Sequence, residues 1–267
     1  MTFYRRLRLM NMQYDNLEVR LAATEAEVAA SQELRYKVFV EENGAKIEAE
    51  KAKNFIESDE FDSFCEHLIL IDNSKDDKNK KKIVGVSRLM ADRTADENMG
   101  FYCAKEYDLT KILKSGKKCL EIGRSCIDKE YRNTLGLHLM WSGIGKYSAS
   151  REIELLFGVV SFTGCNIQKY SLALSLLHHQ FLISQSLRIK AHSEGFCDMN
   201  MISAELINKS KAMEQMPSLL KGYLRLGAKV GEGAFIDRYF NTIDVALILE
   251  TDLMKKKYKE FYGRTGQ

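Results

Sequence analysis

A single proline, Pro217, stands in 267 residues, beside one tryptophan and no long apolar run. No stretch rich in proline, glycine or serine divides the chain, so no linker separates two halves and one domain is expected. No apolar run is long enough to cross a bilayer, and the basic N-terminus (Met1 to Met12) lacks the apolar region of a signal peptide. The six cysteines, Cys65, Cys103, Cys119, Cys126, Cys165 and Cys197, never form Cys-x-x-Cys. They read as reduced thiols of a cytosolic protein, with neither a disulfide framework nor a zinc site. The net charge of +3 is too small to argue for nucleic acid, and no aromatic-basic RNA pattern or zinc-finger spacing supplies the argument instead. His178-His179 has no metal-ligating partner at useful spacing, so no metal is expected. No internal repeat is present. What remains is an ordinary globular composition, 45% hydrophobic and 29% charged, in a chain long enough for a sizeable core.

Strand and helix patterns alternate. Leu17–Ala22 alternates as a short strand does. Thr24-Glu25-Ala26-Glu27 is a capping box, and a helix to about Glu42 follows, with Val28, Leu34, Val38 and Phe39 on one face. A charged loop runs to Phe64. His67–Asp72 and Ile83–Met90 read as two strands joined by a solvated connector over residues 73–82. Asp108–Leu113 suggests a short helix, Cys119–Asp128 a strand, and Tyr131 to about Ser150 a helix. Leu155–Phe162 is almost wholly apolar, hence a central strand. Residues 166–215 read as mostly helical, with a core stripe of Leu172, Leu176, Leu177 and Phe181. Pro217 opens a helix that Gly227 ends. Strands near Ala228–Ile236 and Thr242–Leu249 close the pattern.

The richest chemistry lies in Leu120–Asp128, where Glu121, Arg124 and Ser125 fall within five residues of a strand. Buried charges in a strand are costly unless they pair or do chemistry. A structural Glu121–Arg124 ion pair and a catalytic site are both consistent with that spacing. Glu66-His67, at the entry of another strand, is a second source of a base.

The order strand, helix, hairpin, long strand, helix, strand, helix, terminal strand pair resembles the GNAT acyltransferase fold. The resemblance implies an α/β architecture: a mixed central sheet with splayed parallel strands (here Cys119–Asp128 and Leu155–Phe162), flanked by helices, with a helical insertion at about 166–215. The N-terminus of the following helix then faces phosphate. The turn Arg132-Asn133-Thr134-Leu135-Gly136-Leu137 keeps that family's arginine and glycine at altered spacing. This fits a donor on acyl carrier protein, which lacks the pyrophosphate of coenzyme A.

Two narrower resemblances follow. Arg35-Tyr36-Lys37-Val38-Phe39, Asp59-Glu60-Phe61-Asp62, Arg88 and Glu121-x-x-Arg124 are similar to motifs of the acyl-homoserine-lactone synthases, although Ser125 replaces their phenylalanine. From about Asn16 onward the chain resembles the L-ornithine Nα-acyltransferases and their hemolysin-like relatives, through Arg35–Glu42, Phe61–Asp72, Val84–Leu89, Leu120–Arg132, Leu156–Gly164 and Pro217–Leu249. That resemblance implies a basic extension over 1–15 and one acyltransferase domain over 16–267. It implies transfer of a 3-hydroxyacyl group from the 4'-phosphopantetheine of acyl carrier protein to the α-amine of ornithine, with no permanently bound cofactor and peripheral contact with the inner face of the cytoplasmic membrane.

The expected catalytic residues are Glu121, Arg124, Ser125 and Glu66. The expected substrate-binding residues are Arg35, Asp59, Asp62 and Arg88 as one electrostatic cluster, Arg132 for phosphate, and Phe39, Trp141 and Phe162 along an acyl tunnel. The basic stretches Lys78–Lys82, Lys114–Lys118 and Lys255–Lys259 offer docking for an acidic carrier or anionic lipid. An acyl-homoserine-lactone-like synthase, and a non-catalytic carrier- or membrane-binding protein on the same scaffold, are the alternatives.

Overall fold

Thr24 sets the start of the first helix in the computed structural model, which describes residues 12–77, 80–132 and 135–253. Its backbone is extended, and its hydroxyl accepts the Glu27 N–H at 3.2 Å. Glu27 in turn accepts the Ala23 N–H at 2.8 Å and pairs with Arg20 at 2.5 Å. Thr24→Ala is expected to cost about 1 kcal/mol. Urea midpoints measure it, and an unchanged midpoint would mean that Glu27 alone holds the helix start.

In chain order the elements are β1 (Met12–Tyr14), β2 (Leu17–Leu21), α1 (Glu25–Arg35), a π-helical stretch (Tyr36–Glu42), α2 (Ala49–Lys53), β3 (Glu66–Asp77), β4 (Lys80–Ala91) and α3 (Asp92–Glu97). Then come β5 (Tyr107–Asp108), α4 (Thr110–Leu113), β6 (Cys119–Ile127), α5 (Leu135–Ser150), β7 (Leu155–Thr163), α6 (Ser171–Phe181), β8 (Lys190–Ala191) and β9 (Phe196–Cys197). The chain ends with α7 (Lys209–Gln215), α8 (Ser218–Leu226), β10 (Lys229–Val230), β11 (Ala234–Asp237) and β12 (Thr242–Glu250). Among the described residues no helix is long and apolar enough to cross a membrane.

Two compact units form, one from Met1–Met99 with Ile122–Glu152 and one from Gly100–Glu121 with Ile153–Gln267. The boundary falls inside β6, after Glu121.

In the first unit β1, β2, β3 and β4 are antiparallel neighbours in that order, and β6 follows β4. The pleat of β3 sends alternate side chains to opposite faces. Ile69 and Ile71 pack with Leu34 and Val38 of the first helical segment, and with Ile83, Val86 and Cys126. Leu68 and Leu70 serve the other face, where α5 approaches through Gly136 and Gly143. A Cβ at Gly143 would meet Val19 at 2.6 Å, so only glycine allows that approach. Each fully buried Leu or Ile here contributes about 1.5–3 kcal/mol of transfer free energy.

In the second unit β7 is central. It pairs antiparallel with β12 from Leu155↔Glu250 to Thr163↔Thr242, and parallel with β6 over Cys119–Glu121. β11 and β9 extend the sheet beyond β12, and β10 also pairs with β12. Tyr107 is fully buried, and its hydroxyl lies 3.0 Å from Gly233 O, 2.9 Å from Asp244 O and 3.1 Å from Ala246 N. Gly227 takes φ +99° after α8 and closes a Schellman motif: its N–H donates to Leu224 O, and the Ala228 N–H donates to Tyr223 O. The sheet is mixed, with antiparallel and parallel pairs.

Three stretches differ from the sequence expectation. The connector at 73–82 is partly strand, since β3 runs to Asp77 and β4 starts at Lys80. Residues 182–208 are largely non-helical. Their backbone groups bond sideways instead: Ile183 N–H to Val230 O, Ala191 N–H to Glu232 O, and the Met201 and Ile202 N–H groups to the Ser175 hydroxyl. With donors and acceptors satisfied there, irregular backbone can be buried. The span from Ala228 to Ile236 is two short strands, broken at Gly231–Gly233.

Candidate active site

Three guanidinium groups and three carboxylates alternate around a closed ring in the first unit. Arg35 Nε meets Glu57 Oε2 at 2.5 Å, and Glu57 Oε1 meets Arg124 Nε at 3.2 Å. Arg124 Nη2 meets Asp59 Oδ2 at 2.9 Å, and the other Asp59 oxygen accepts from Arg88. Arg88 Nη1 reaches Asp62 Oδ1 at 2.9 Å, and Asp62 Oδ1 returns to Arg35 Nη1 at 2.7 Å. The formal charges cancel. The Arg35 side chain is 0% exposed and that of Arg124, the most open of the guanidiniums, 10%. Ion pairs in such surroundings are screened far less than surface pairs.

Local structure delivers each member. Arg35 is the last residue of α1, where the winding widens into the π stretch. The Glu57 N–H donates to Gln32 O at 3.2 Å. Asp59 and Asp62 form a reciprocal capping box on the 3-10 turn Glu60–Ser63, accepting the Phe61 N–H at 3.0 Å and the Asp59 N–H at 3.2 Å. Gln32 also donates to Asp62 at 3.0 Å. Arg88 comes from β4, with its guanidinium 5.5 Å over the Phe61 ring. Arg124 comes from β6 with φ +49°, in the left-handed region.

Electrostatics follow from this packing. Burial works against the Asp62 carboxylate, but Arg35 and Arg88 outweigh it and hold the group well below the usual carboxylate range. Burial likewise opposes the Arg35 charge, and Glu57 and Asp62 overcome it and raise its pKa. Buried His67 donates from Nε2 to the Asp62 carbonyl oxygen at 3.2 Å, and burial lowers its pKa.

Glu121 belongs to the second unit. Its buried carboxylate accepts the N–H groups of Tyr102 at 2.8 Å and Cys103 at 2.6 Å, which holds the start of the turn Tyr102–Lys105. Phe101 beside that turn stacks edge-on against Phe157, with centroids 4.9 Å apart. Within the first unit the Ser125 hydroxyl is 2.9 Å from that of Ser87.

The remaining expected residues have other company. Glu66 accepts from the Tyr147 hydroxyl and pairs with Arg151 at 2.7 Å. Arg132 donates to Ile127 O at 2.8 Å and to Glu42, while Asn133 and Thr134 lie outside the described residues. Phe39 is partly buried against the Leu34–Ile69 cluster, Trp141 is half-buried on α5, and Phe162 is fully buried against Tyr170. Of the basic stretches, residues 78–79 and 255–259 lie outside the described residues. Lys114 and Lys117 line an open cavity of about 520 Å3 with Lys111 and Ser184, and there Lys117 pairs with Glu250 at 2.9 Å.

Sequence reasoning missed two features. Glu57 completes the ring, yet in a charge-rich loop nothing in its residue type or spacing marks it. The carboxylates of Glu106, Asp237 and Asp244 lie within 4.8 Å of one another and, among the described residues, are the set close enough to share an ion. Their proximity alone does not make a metal centre.

An Acetyltransferase (GNAT) domain profile matches residues 34–142. The chain is 42% identical over 247 residues to the L-ornithine N(alpha)-acyltransferase of Rhodobacter capsulatus, covering 92% of this chain and 95% of that protein. It is 39% identical to the L-ornithine N(alpha)-acyltransferase of Agrobacterium fabrum, covering 92% and 85%. Among solved structures, FeeM, an N-acyl amino acid synthase from uncultured soil microbes, shares the fold with a TM-score of 0.50 at 12% identity, covering 90% of this chain and 94% of that one.

Proposed function

The chain belongs to the L-ornithine N(alpha)-acyltransferase family, and from that premise we propose that it transfers a 3-hydroxyacyl group from the phosphopantetheine thioester of acyl carrier protein to the α-amine of L-ornithine, giving lyso-ornithine lipid. The observation that carries the reading is the 42% identity extending over 92% of the chain rather than over the GNAT segment alone.

The reaction needs few groups. The amine nitrogen attacks the thioester carbonyl carbon, a C–N bond forms, the carbonyl oxygen gathers charge, and the C–S bond breaks to release the carrier thiolate. One proton leaves the amine and one returns to the thiolate. Glu121 is the group we assign to the amine proton. Its two backbone N–H partners hold the carboxylate in one position, as a base must be held. Backbone N–H groups of β6 serve the developing oxyanion. No covalent acyl-enzyme is required.

A carrier-borne donor is favoured over free coenzyme A by the state of Arg132. It lies in the turn before α5, and its guanidinium pairs with Glu42. A pyrophosphate arriving there meets a carboxylate beside the arginine, which weakens the usual attraction. The basic stretch Lys114–Lys118 suits an acidic carrier, and the amphiphilic product suits peripheral contact with a membrane.

The test is incubation of the purified protein with 3-hydroxyacyl-acyl carrier protein and a panel of amino acids, read by mass spectrometry. N-acyl-ornithine with release of the carrier thiol is expected. An absence of product with every amine, or acylation of another amino acid in preference, would overturn the assignment.

A further inference from the structure

Arg124 occupies a conformation that its residue type does not favour. A side chain at φ +49° crowds the following carbonyl, and arginine is not one of the short polar residues, asparagine and aspartate, that visit this region routinely. Glycine takes this region freely, and Gly123 is one residue away, yet the left-handed turn falls on Arg124. Such conformations persist only where the surroundings over-determine them. Here the surroundings are visible. Glu57 grips Nε at 3.2 Å and Asp59 grips Nη2 at 2.9 Å, so two carboxylates fix the guanidinium plane from two sides. Both are locked in turn, Glu57 by Arg35 at 2.5 Å and Asp59 by Arg88 and its own capping turn. The ring is therefore an anchor whose outlet is the backbone of β6 at Arg124.

We propose that Glu57 and Asp59 are positioning residues that hold Arg124 in its left-handed conformation and thereby set the direction of the β6 peptide N–H groups that serve the thioester oxygen. The inference rests on the acyl-transfer reading given above. On this view the guanidinium works through the backbone and does not itself bind ornithine.

Glycine and alanine at position 124 separate the two roles, because both remove the guanidinium and only glycine accepts the left-handed backbone without strain. Arg124→Gly is expected to turn over about ten-fold faster than Arg124→Ala, with the wild-type KM for ornithine kept in both. Glu57→Ala is expected to lower kcat about ten-fold in the wild-type background and to have no further effect on Arg124→Gly, since its target is then gone. Hydrogen–deuterium exchange of the peptide spanning β6 is expected to rise in Arg124→Ala above its level in Arg124→Gly. Equal kcat for the glycine and alanine variants, or a KM for ornithine raised equally in both, would overturn the proposal and make the guanidinium a substrate ligand. If Glu57→Ala does not fold, the glycine–alanine pair still decides. A wild-type protein that acylates no ornithine would sink the functional reading, and the exchange comparison would then still test the anchor.

Discussion

The Asp62→Ala protein is expected to lose about 3–5 kcal/mol of unfolding free energy, because two guanidiniums remain buried with one counter-charge fewer between them. Asp62 Oδ1 lies 2.7 Å from Arg35 and 2.9 Å from Arg88, whose side chains are 0% and 3% exposed. Oδ2 is used as well, by Gln32 and the Asp59 N–H. Alanine leaves all of these donors facing a small apolar hole. A loss of that size is a large part of the stability of a typical domain, about 5–15 kcal/mol. Urea unfolding followed by fluorescence measures it, with Asp62→Asn as the isosteric control that keeps the acceptor and loses the charge. A midpoint for Asp62→Ala close to wild type would show that Glu57 and Asp59 can neutralise both arginines unaided.

The same group sets the acid limb. Asp62 is held below its ordinary value of 3.8, so the folded state keeps it ionised where the unfolded state takes up a proton. Its contribution is complete above that ordinary value and fades as pH falls through and below it. His67 acts with the same sign at higher pH. Burial lowers its pKa from 6.5, so below that value the unfolded chain binds a proton that the folded one resists. Unfolding free energy is expected to decline in two steps on acidification, the first beginning near pH 6.5 and the second near pH 3.8. In His67→Gln the first step disappears.

Glu121→Gln is expected to lower kcat about 10²–10⁴-fold if the carboxylate takes the amine proton. Glutamine has one acceptor oxygen where the carboxylate has two, so one of the Tyr102 and Cys103 N–H groups loses its partner. That adds a stability cost of about 1–3 kcal/mol, read separately by thermal melting. The two readouts discriminate the roles. A protein that melts earlier yet turns over at the wild-type rate when folded would make Glu121 a cap of the Tyr102–Lys105 turn and nothing more.

Much of this molecule could be read before it was folded, and the legible parts share a property. Thr24, Pro217 and Gly227 act on backbone within a turn of themselves, so their residue types suffice to mark helix ends. β7 and β12 are apolar almost throughout, and an apolar run of that length has few places to go except the middle of a sheet. The irregular backbone of 182–208 escaped for the opposite reason, since its hydrogen bonds go to Ser175, Val230 and Glu232, none of them a neighbour in the chain.

The amino-acid sequence by itself determined the main strands and helices outside 182–208, the caps that bound them and the family to which the chain belongs, because local propensity, periodicity and motif are written in consecutive residues. Only the tertiary structure decided who answers each charge. Arg35, Glu57, Asp59, Asp62, Arg88 and Arg124 span 90 positions, and a guanidinium selects its carboxylate by distance in space. It also decided that Arg124, and not the adjacent Gly123, bends β6 into the left-handed region, since two carboxylates fixed elsewhere in the fold outweigh a conformational preference worth about 1–2 kcal/mol.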